Sequence, residues 1–238
     1  MRPLPTRMAD RVIVALDLPD VDTALALARR LAGTVSFFKV GMWLLYARGI
    51  ERLLDTLIGS GSRVFLDAKM YDIPETVAHG VAAAARRGVS CLTIHGDPAI
   101  IASAVAARAD APLALLAVTV LTSLDDAALA RMGYARTAAE LVRQRAREAA
   151  ELGCDGIIAA ASDDPAALRR HAGREDLLVV TPGIRPAGAA ADDQRRIATP
   201  AGAIRNGADY LVIGRPIVAA PDPVRAAAAI IAEMEQAR

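Results

Sequence analysis

Residues 64–76 read VFLDAKMYDIPET, a stretch that combines an apolar run, several charged side chains and a helix start. The apolar run predicts a strand that leads into Asp67 and Lys69, which share one face because side chains alternate along a strand. Asp72 follows in a loop, and Pro74 suits the first turn of a helix. An acid and a base therefore project together from the carboxyl end of a strand. Because closely spaced charges are costly to desolvate, we interpret them as functional rather than as an incidental surface ion pair.

The rest of the chain repeats this pattern of a strand followed by a helix. Short apolar, β-branched runs predict eight strands, at residues 12–17, 36–40, 63–69, 90–95, 113–119, 155–160, 177–181 and 209–214. Segments with helical spacing lie between them, including 22–32, 43–59, 75–87, 137–151 and 222–236. Continuous apolar strands are typical of parallel strands that helices cover. Eight such units predict an α/β fold, a (β/α)8 TIM barrel, with a doubly wound open sheet as the alternative.

The composition suits one barrel and excludes several kinds of partner. Hydrophobic residues make up 54% of the 238, enough for a single domain over residues 1–238 with a short N-terminal tail at 1–10. A net charge of +1 gives no electrostatic reason to bind nucleic acid or an anionic membrane. The chain lacks an apolar run that could span a bilayer, and its start lacks the apolar core of a signal peptide. We therefore expect a cytoplasmic protein without a nucleic-acid or membrane partner.

The cysteines and histidines do not indicate a metal site. Cys91 and Cys154 lie far apart in the chain and form no CxxC pair, which predicts buried thiols in a reducing compartment. The two Cys and three His show no spacing typical of metal ligands. We interpret His95, at the end of a predicted strand, as a residue that makes a structural hydrogen bond.

Polar and charged residues gather where the predicted strands end, which is where barrels of this kind hold their active sites. These residues are Asp17, Lys39, Asp67, Lys69, His95, Thr122, Gly183, Arg185, Gly214 and Arg215. Loops after strands seven and eight often bind phosphate, since glycine lets backbone N–H groups approach an anion and arginine grips it with two hydrogen bonds. The loop at 183–198 is long, polar and rich in Gly and Ala, and it predicts a lid over that site.

Asp67 to Thr76 resembles the signature Asp-x-Lys-x-x-Asp-Ile-Pro-x-Thr of the orotidine 5′-phosphate decarboxylases. Further segments are similar to that family in order and spacing: ALD at 15–17, FKVG at 38–41, LTS at 121–123, TPGIRP at 181–186, DQRRI at 193–197 and VIGRPI at 212–217. There are two departures. Bacterial members usually carry a Gly pair shortly after the His of strand four, where this chain has Asp97 and Pro98. The residue before Asp193 is often Gly, and here it is Asp192, which bears on the flexibility of the lid.

The resemblance implies a carboxy-lyase that converts orotidine 5′-monophosphate to UMP and CO₂ in de novo pyrimidine biosynthesis, without a cofactor or a metal. Lys69 would stabilise the carbanion that develops at C6 of the pyrimidine and then protonate it. Asp67 would lie near the departing carboxylate and keep Lys69 charged. Lys39 would complete the charge network and contact the ribose. Asp72 and Thr76 would come from the partner subunit, because the sites of this family lie at the interface of a homodimer.

Other residues would bind the substrate if the resemblance holds. Asp17 would accept hydrogen bonds from ribose hydroxyls, with the capping of the next helix as an alternative or additional role. Thr122 would contact the pyrimidine, and Gln194 would reach from the lid to the phosphate or the base. The remaining substrate-binding residues implied are Ile73, Arg185, Gly214 and Arg215.

Two other functions stay open at this point. The magnesium-dependent sugar-phosphate lyases of a related barrel family also carry Asp-x-Lys-x-x-Asp, but they need an acidic metal ligand at the end of strand two. Lys39 stands there in this chain and would repel Mg²⁺, which takes oxygen ligands. A non-catalytic barrel that binds nucleotides is the second alternative. A broken charge motif would indicate it, whereas all the charges of the motif are present.

Overall fold

The computed structural model describes residues 4–186 and 198–237, and a barrel of eight parallel strands forms its centre. The strands follow chain order around the barrel, which closes where the first strand pairs with the eighth. They are β1 (Val12–Ala15), β2 (Phe37–Gly41), β3 (Arg63–Met70), β4 (Cys91–His95), β5 (Ala114–Val118), β6 (Gly156–Ile158), β7 (Leu178–Thr181) and β8 (Tyr210–Ile213). All eight predicted strands and the (β/α)8 barrel are thus confirmed. The doubly wound alternative is wrong, because the sheet is closed.

Helices follow the strands and cover the outside of the barrel. Within the described residues they are α1 (Val21–Arg30), α2 (Met42–Leu45), α3 (Ile50–Gly59), α4 (Pro74–Arg87), α5 (Pro98–Arg108), α6 (Asp126–Arg131), α7 (Ala138–Glu151), α8 (Pro165–Ala172), α9 (Pro200–Arg205), α10 (Arg215–Val218) and α11 (Pro223–Glu235). Several begin at side-chain caps; Thr137 and Glu140, for example, form a reciprocal capping box at the start of α7. None of the helices in the described ranges is long and apolar enough to cross a membrane.

One helix prediction is wrong. The pattern at residues 43–59 predicts a single helix, but the structure has α2 and α3 with a break between them. Gly49, the residue before α3, has a φ of 84°, in the left-handed region that a continuous right-handed helix does not accommodate. The break ends α2 within one turn of β2, so α2 stays at the carboxyl end of the barrel.

Two apolar layers hold the barrel together. The side chains that fill its interior are Ile13, Ala15, Phe37, Phe65, Leu116, Val180 and Val212. Val12 and Val14, their neighbours along β1, belong instead to the larger cluster between the barrel and the helices, because side chains alternate along a strand. Met8 and Ala9, at the end of the predicted N-terminal tail, are also buried, in a 3₁₀ turn formed by Met8–Arg11.

Both cysteines carry free thiols, and Cys154 is buried whereas Cys91 is partly buried, so the prediction of two buried thiols is confirmed only for Cys154. Neither Cys91 nor Cys154 forms a disulfide. Burial raises the pKa of each thiol to about 12. Since the thiolate is the reactive form of cysteine, neither residue has the properties of a nucleophile.

β3 carries a bulge at the position of the charged motif. Leu66 pairs with Leu92 of β4, and the next pairing joins Met70 to Ile94. Residues 67–69 of β3 therefore lie opposite the single residue Thr93. Bulges of this kind redirect side chains and are common beside active sites.

Gly49, just before α3, and Gly59, its last residue, give a matched test of this account of the fold. We expect Gly49→Ala to lower the free energy of unfolding by about 1–2 kcal/mol, because a Cβ is unfavourable at a left-handed φ. Gly59→Ala, within α3 and without a positive φ, should raise it by about 0.5–1 kcal/mol through helix propensity. Neither Cβ would meet another atom within 4 Å. Urea unfolding measures both; effects of the same sign would contradict the assigned break.

Candidate active site

Four charged side chains alternate in sign along the carboxyl ends of β1, β2 and β3. Lys39 Nζ lies 2.9 Å from Asp17 Oδ1 and 3.3 Å from Asp67 Oδ2. Lys69 Nζ lies 2.8 Å from Asp67 Oδ1. The two central side chains, of Lys39 and Asp67, are only 9% and 11% exposed, whereas those of Asp17 and Lys69 are 48% and 40% exposed. We call these four residues the charge row; its centre is buried and its two ends are open.

Gly41 makes room for the buried half of the charge row. A Cβ built on Gly41 would lie 2.8 Å from Lys39 Nζ and 2.9 Å from Asp17 Oδ1, closer than such atoms approach one another. Any larger residue would therefore push this ion pair apart. Gly41 belongs to the family-like segment at 38–41 but has no predicted role there; the only signal was a glycine directly after a predicted strand.

Thr93 connects the two charged residues of β3. Its hydroxyl donates a hydrogen bond to Asp67 Oδ1 over 2.9 Å and accepts one from the backbone N–H of Lys69, also over 2.9 Å. Lys69 itself has a φ of 45°, which is rare for a residue other than glycine. The pairing of the strands thus brings a polar residue of β4 to the bulge that carries the motif.

The environment of Asp67 keeps its carboxylate ionised. Burial alone would raise the pKa of Asp67, but the ammonium groups of Lys39 and Lys69 and hydrogen bonds from Lys69 and Thr93 outweigh it and hold the pKa below the ordinary value of 3.8. At neutral pH the pocket therefore presents a fixed negative charge directly beside the ammonium of Lys69. Such a pair can repel an anionic group placed near Asp67 and can donate a proton from Lys69.

A pocket of about 540 Å³ opens beside the charge row, within the size range of small-molecule sites. Its walls include most of the residues predicted for the site: Asp17, Lys39, Asp67, Lys69, Thr122, Arg185, Gly214 and Arg215. Trp43 and Ser123 also line it. The fold thus brings together residues from the carboxyl ends of β2 and β3 and from the loops after β1, β5, β7 and β8, far apart in sequence, around one cavity.

Two arginines line this pocket from the loops after β7 and β8. Arg185 is buried and donates from Nη1 to the carbonyl oxygen of Ile184 over 2.9 Å. Its backbone N–H donates to the carbonyl oxygen of Ala198 over 2.9 Å, so the two ends of the loop lie together. Arg215 is the first residue of α10 and follows Gly214. Two guanidinium groups with adjacent glycines can bind an anion of the size of a phosphate.

Other predicted residues do not join this pocket within one chain. Asp72, Ile73 and Thr76 are exposed and lie outside its walls. Asp72 Oδ1 accepts a hydrogen bond from the N–H of Ile73 over 2.7 Å, and Asp72 forms no ion pair in the described part of the chain. Gln194 and Asp192, together with most of the predicted lid, lie outside the described residues.

A structural hydrogen bond was predicted for His95, but the structure shows none at its Nδ1 among the described residues. Its Nδ1 is buried and has no hydrogen-bond partner within residues 4–186 and 198–237. The ring packs on Tyr71, with the ring centroids 4.2 Å apart. Burial, and to a smaller extent the charge of Arg145, lowers the pKa of His95. The residue therefore packs as a neutral ring against the loop that carries Asp72.

The first departure from the family pattern, at 95–98, forms a tight helix start. Asp97 caps α5 by accepting a hydrogen bond from the N–H of Ala99 over 3.0 Å, and Pro98 is the first helical residue. A Cβ on Gly96 would lie 2.5 Å from the carbonyl oxygen of Val118, so this position requires glycine. The loop is thus short and ordered without the Gly pair.

Comparisons with known proteins show which family the chain is similar to. A family model described as the orotidine 5′-phosphate decarboxylase / HUMPS family matches residues 10–230. An orotidine 5′-phosphate decarboxylase of Afipia carboxidovorans is 51% identical over 98% of this chain and 98% of its own length. One of Caulobacter vibrioides is 49% identical over 94% of this chain and 97% of its own. The crystal structure of the enzyme from Lactobacillus acidophilus aligns with a TM-score of 0.82 and 36% identity, over 94% of this chain and 99% of that one.

Removing the central lysine tests the energetics of the charge row. We expect Lys39→Met to lower the free energy of unfolding at pH 7 by about 3 kcal/mol, because it leaves the buried Asp67 with one cationic partner. The exposed pair of Arg52 and Asp22 provides a control, and Arg52→Met should cost less than about 1 kcal/mol.

The pH dependence of stability tests whether Lys39 stabilises the ionised form of Asp67. Wild-type Asp67, with a lowered pKa, contributes stability that is present above pH 3.8 and is lost as the pH falls through its folded-state pKa. Lys39→Met removes a cation that lowers this pKa, so the variant should protonate Asp67 at a higher pH. The stability difference from wild type should therefore shrink as the pH falls from 7 through 3.8 in urea unfolding. A difference that grows as the pH falls would contradict the assigned pairing.

Proposed function

The chain belongs to the orotidine 5′-phosphate decarboxylase / HUMPS family, and we propose that it converts orotidine 5′-monophosphate to UMP and CO₂ without a cofactor, in de novo pyrimidine biosynthesis. The observation that carries this proposal is the charge row. It sets an ionised carboxylate, Asp67, 2.8 Å from the ammonium of Lys69 at the wall of a pocket large enough for a nucleotide. Decarboxylation at C6 needs that combination, because the pyrimidine ring stabilises the resulting carbanion poorly.

Lys69 is the proposed proton donor. When the bond from C6 to the carboxylate carbon breaks, its electron pair stays on C6 and CO₂ leaves as a neutral molecule. The ammonium of Lys69 stabilises this negative charge and then transfers a proton to C6, which yields UMP. The neutral amine regains its proton from water. Its 40% exposure at the wall of the pocket allows contact with both substrate and solvent.

Asp67 has two proposed roles. It remains ionised because its pKa is held low, so it repels the substrate carboxylate and loses that repulsion when CO₂ departs. It also holds the ammonium of Lys69, 2.8 Å away, at the wall of the pocket beside the substrate. Lys39, between Asp17 and Asp67, balances the two carboxylates and directs Asp67 toward the pocket.

The other pocket residues would bind the nucleotide. Asp17, at the open end of the charge row, suits the ribose hydroxyls, and Thr122 suits the pyrimidine. Arg185 and Arg215 would hold the phosphate, together with the backbone at Gly214. The phosphate is remote from C6, so its binding energy can serve to align the pyrimidine with Lys69. Gln194 would add a contact from the loop between residues 186 and 198.

We further propose a homodimer in which Asp72, Ile73 and Thr76 complete the site of the partner subunit. Exposed apolar side chains support such an interface: Met42, Trp43, Tyr46, Tyr71 and Ile73. They lie on α2 and on the loop after β3, which follow neighbouring strands and so lie at the same end of the barrel. Asp72 stands among them without a cationic partner in the described part of its own chain.

A magnesium-dependent sugar-phosphate lyase is the alternative within related barrels. The ammonium of Lys39 argues against it, because this cation lies between Asp17 and Asp67 at 2.9 and 3.3 Å. A divalent ion between the same carboxylates would be repelled. We also propose a cytoplasmic location, which the two free thiols support, and no nucleic-acid partner, which the net charge of +1 supports.

The proposed function predicts turnover of orotidine 5′-monophosphate by the purified protein in EDTA, measured as loss of substrate absorbance and formation of UMP. Activity should be the same after addition of Mg²⁺, because the cations of the reaction are lysines. Activity that requires Mg²⁺ would favour the sugar-phosphate lyase. UMP binding without turnover under either condition would favour the non-catalytic barrel.

Shared sites predict that two inactive variants restore each other. We expect Asp72→Ala and Lys69→Ala each to be inactive alone. In a mixed dimer one site carries both lesions and the other carries neither, by the symmetry of a two-fold interface. Random exchange makes about half of the dimers mixed, so activity should recover to about one quarter of wild type. No recovery, despite subunit exchange detected by native mass spectrometry, would place Asp72 in the site of its own chain.

A further inference from the structure

The bulge of β3 leaves the motif without regular strand pairing on one side. Residues 67–69 lie between the pairings of Leu66 with Leu92 and of Met70 with Ile94, and only Thr93 stands opposite them on β4. The backbone at Lys69 also has a φ of 45°, a conformation that costs energy for any residue with a Cβ. A strained residue at a bulge keeps its geometry only where its surroundings hold it.

The hydroxyl of Thr93 stabilises the strained backbone at Lys69. It accepts the hydrogen bond of the Lys69 N–H and donates its own proton to Asp67 Oδ1, each over 2.9 Å. Thr93 is fully buried, so water does not compete for either bond. One oxygen thus ties the backbone of Lys69 to the carboxylate of Asp67. Only a residue that donates and accepts through one short side chain can do both here.

We propose that Thr93 is a positioning residue that holds Lys69 and Asp67 in the geometry needed for reaction at C6. The proposal rests on the proposed decarboxylation. Thr93 does not line the pocket, so it acts through its two partners and has no contact with the substrate. The groups proposed to bind ribose, pyrimidine and phosphate come from the loops after β1, β5, β7 and β8, none of which contributes to the two hydrogen bonds of Thr93.

This separation predicts a selective effect on the chemical step. Thr93→Val keeps the shape of the side chain and removes the hydroxyl, so the Lys69 N–H loses its partner and Asp67 loses the hydrogen bond that fixes its orientation relative to the backbone of Lys69. A shift of about 1 Å at a reacting group lowers rates on the order of 100-fold. We therefore expect kcat to fall about 100-fold, while KM and the affinity for UMP change less than about threefold because the binding groups are untouched.

Two further variants separate positioning from stability. Thr93→Ser keeps the hydroxyl and should recover kcat to within about tenfold of wild type, as expected when the hydrogen bonds carry the effect. Thr119→Val is the matched control: Thr119 is equally buried, and its hydroxyl donates to the carbonyl oxygen of Ile158 over 2.7 Å, away from the motif. It should lose a similar amount of thermal stability while kcat stays within about threefold of wild type.

Several kinetic results would contradict the positioning role of Thr93. The positioning role is overturned if Thr93→Val keeps the wild-type kcat, if Thr119→Val loses kcat equally, or if the affinity for UMP falls as much as kcat. Should Thr93→Val fail to fold, Thr93→Ser and Thr93→Ala give the same comparison, and equal kcat values for these two would overturn the role. Failure of the wild-type protein to turn over the nucleotide would instead defeat the proposed decarboxylation.

Discussion

The buried carboxylate of Asp67, held between two ammonium groups, is the interaction on which the site depends. Its desolvation is unfavourable, and only the closely placed charges of Lys39 and Lys69 and the hydrogen bond from Thr93 compensate for it. Removing Lys39, the more deeply buried of the two cations, leaves Asp67 with too little compensation. The charge row is therefore a unit whose two ammonium groups keep the buried carboxylate of Asp67 ionised. The same unit gives the pocket a fixed electrostatic character before any ligand enters.

The barrel makes this arrangement possible by bringing neighbouring strand ends together. Lys39 of β2 reaches both Asp17, beyond β1, and Asp67 of β3 because these strands are adjacent and parallel. Gly41 leaves the space that the ion pair of Lys39 and Asp17 occupies. The bulge in β3 then changes the direction of the chain at Lys69. Hydrophobic packing inside and around the barrel supplies the stability that this unfavourable group of charges at the strand ends requires.

Much of this organisation was predictable from local patterns in the sequence. Continuous apolar runs predicted the strands, and the charged residues at their carboxyl ends predicted the location of the site. Both signals lie within a few neighbouring residues. Interactions between distant residues were not predictable in this way. Thr93 is 24 residues from Lys69, and its role depends on a bulge that only the pairing of β3 with β4 creates. Gly41 likewise has a role only once Asp17 and Lys39 are placed, and the break at Gly49 depends on one backbone angle.

The rate of decarboxylation by Lys69→Ala under saturating orotidine 5′-monophosphate tests the central claim most directly, with UMP affinity measured on the same sample. The charge row predicts a loss of kcat on the order of 10⁴-fold or more, since both the stabilising cation and the proton donor are removed. It also predicts that the variant stays folded and still binds UMP, because the arginines and Asp17 are intact. A variant that keeps a tenth of the wild-type kcat would contradict the claim that Lys69 performs the chemistry.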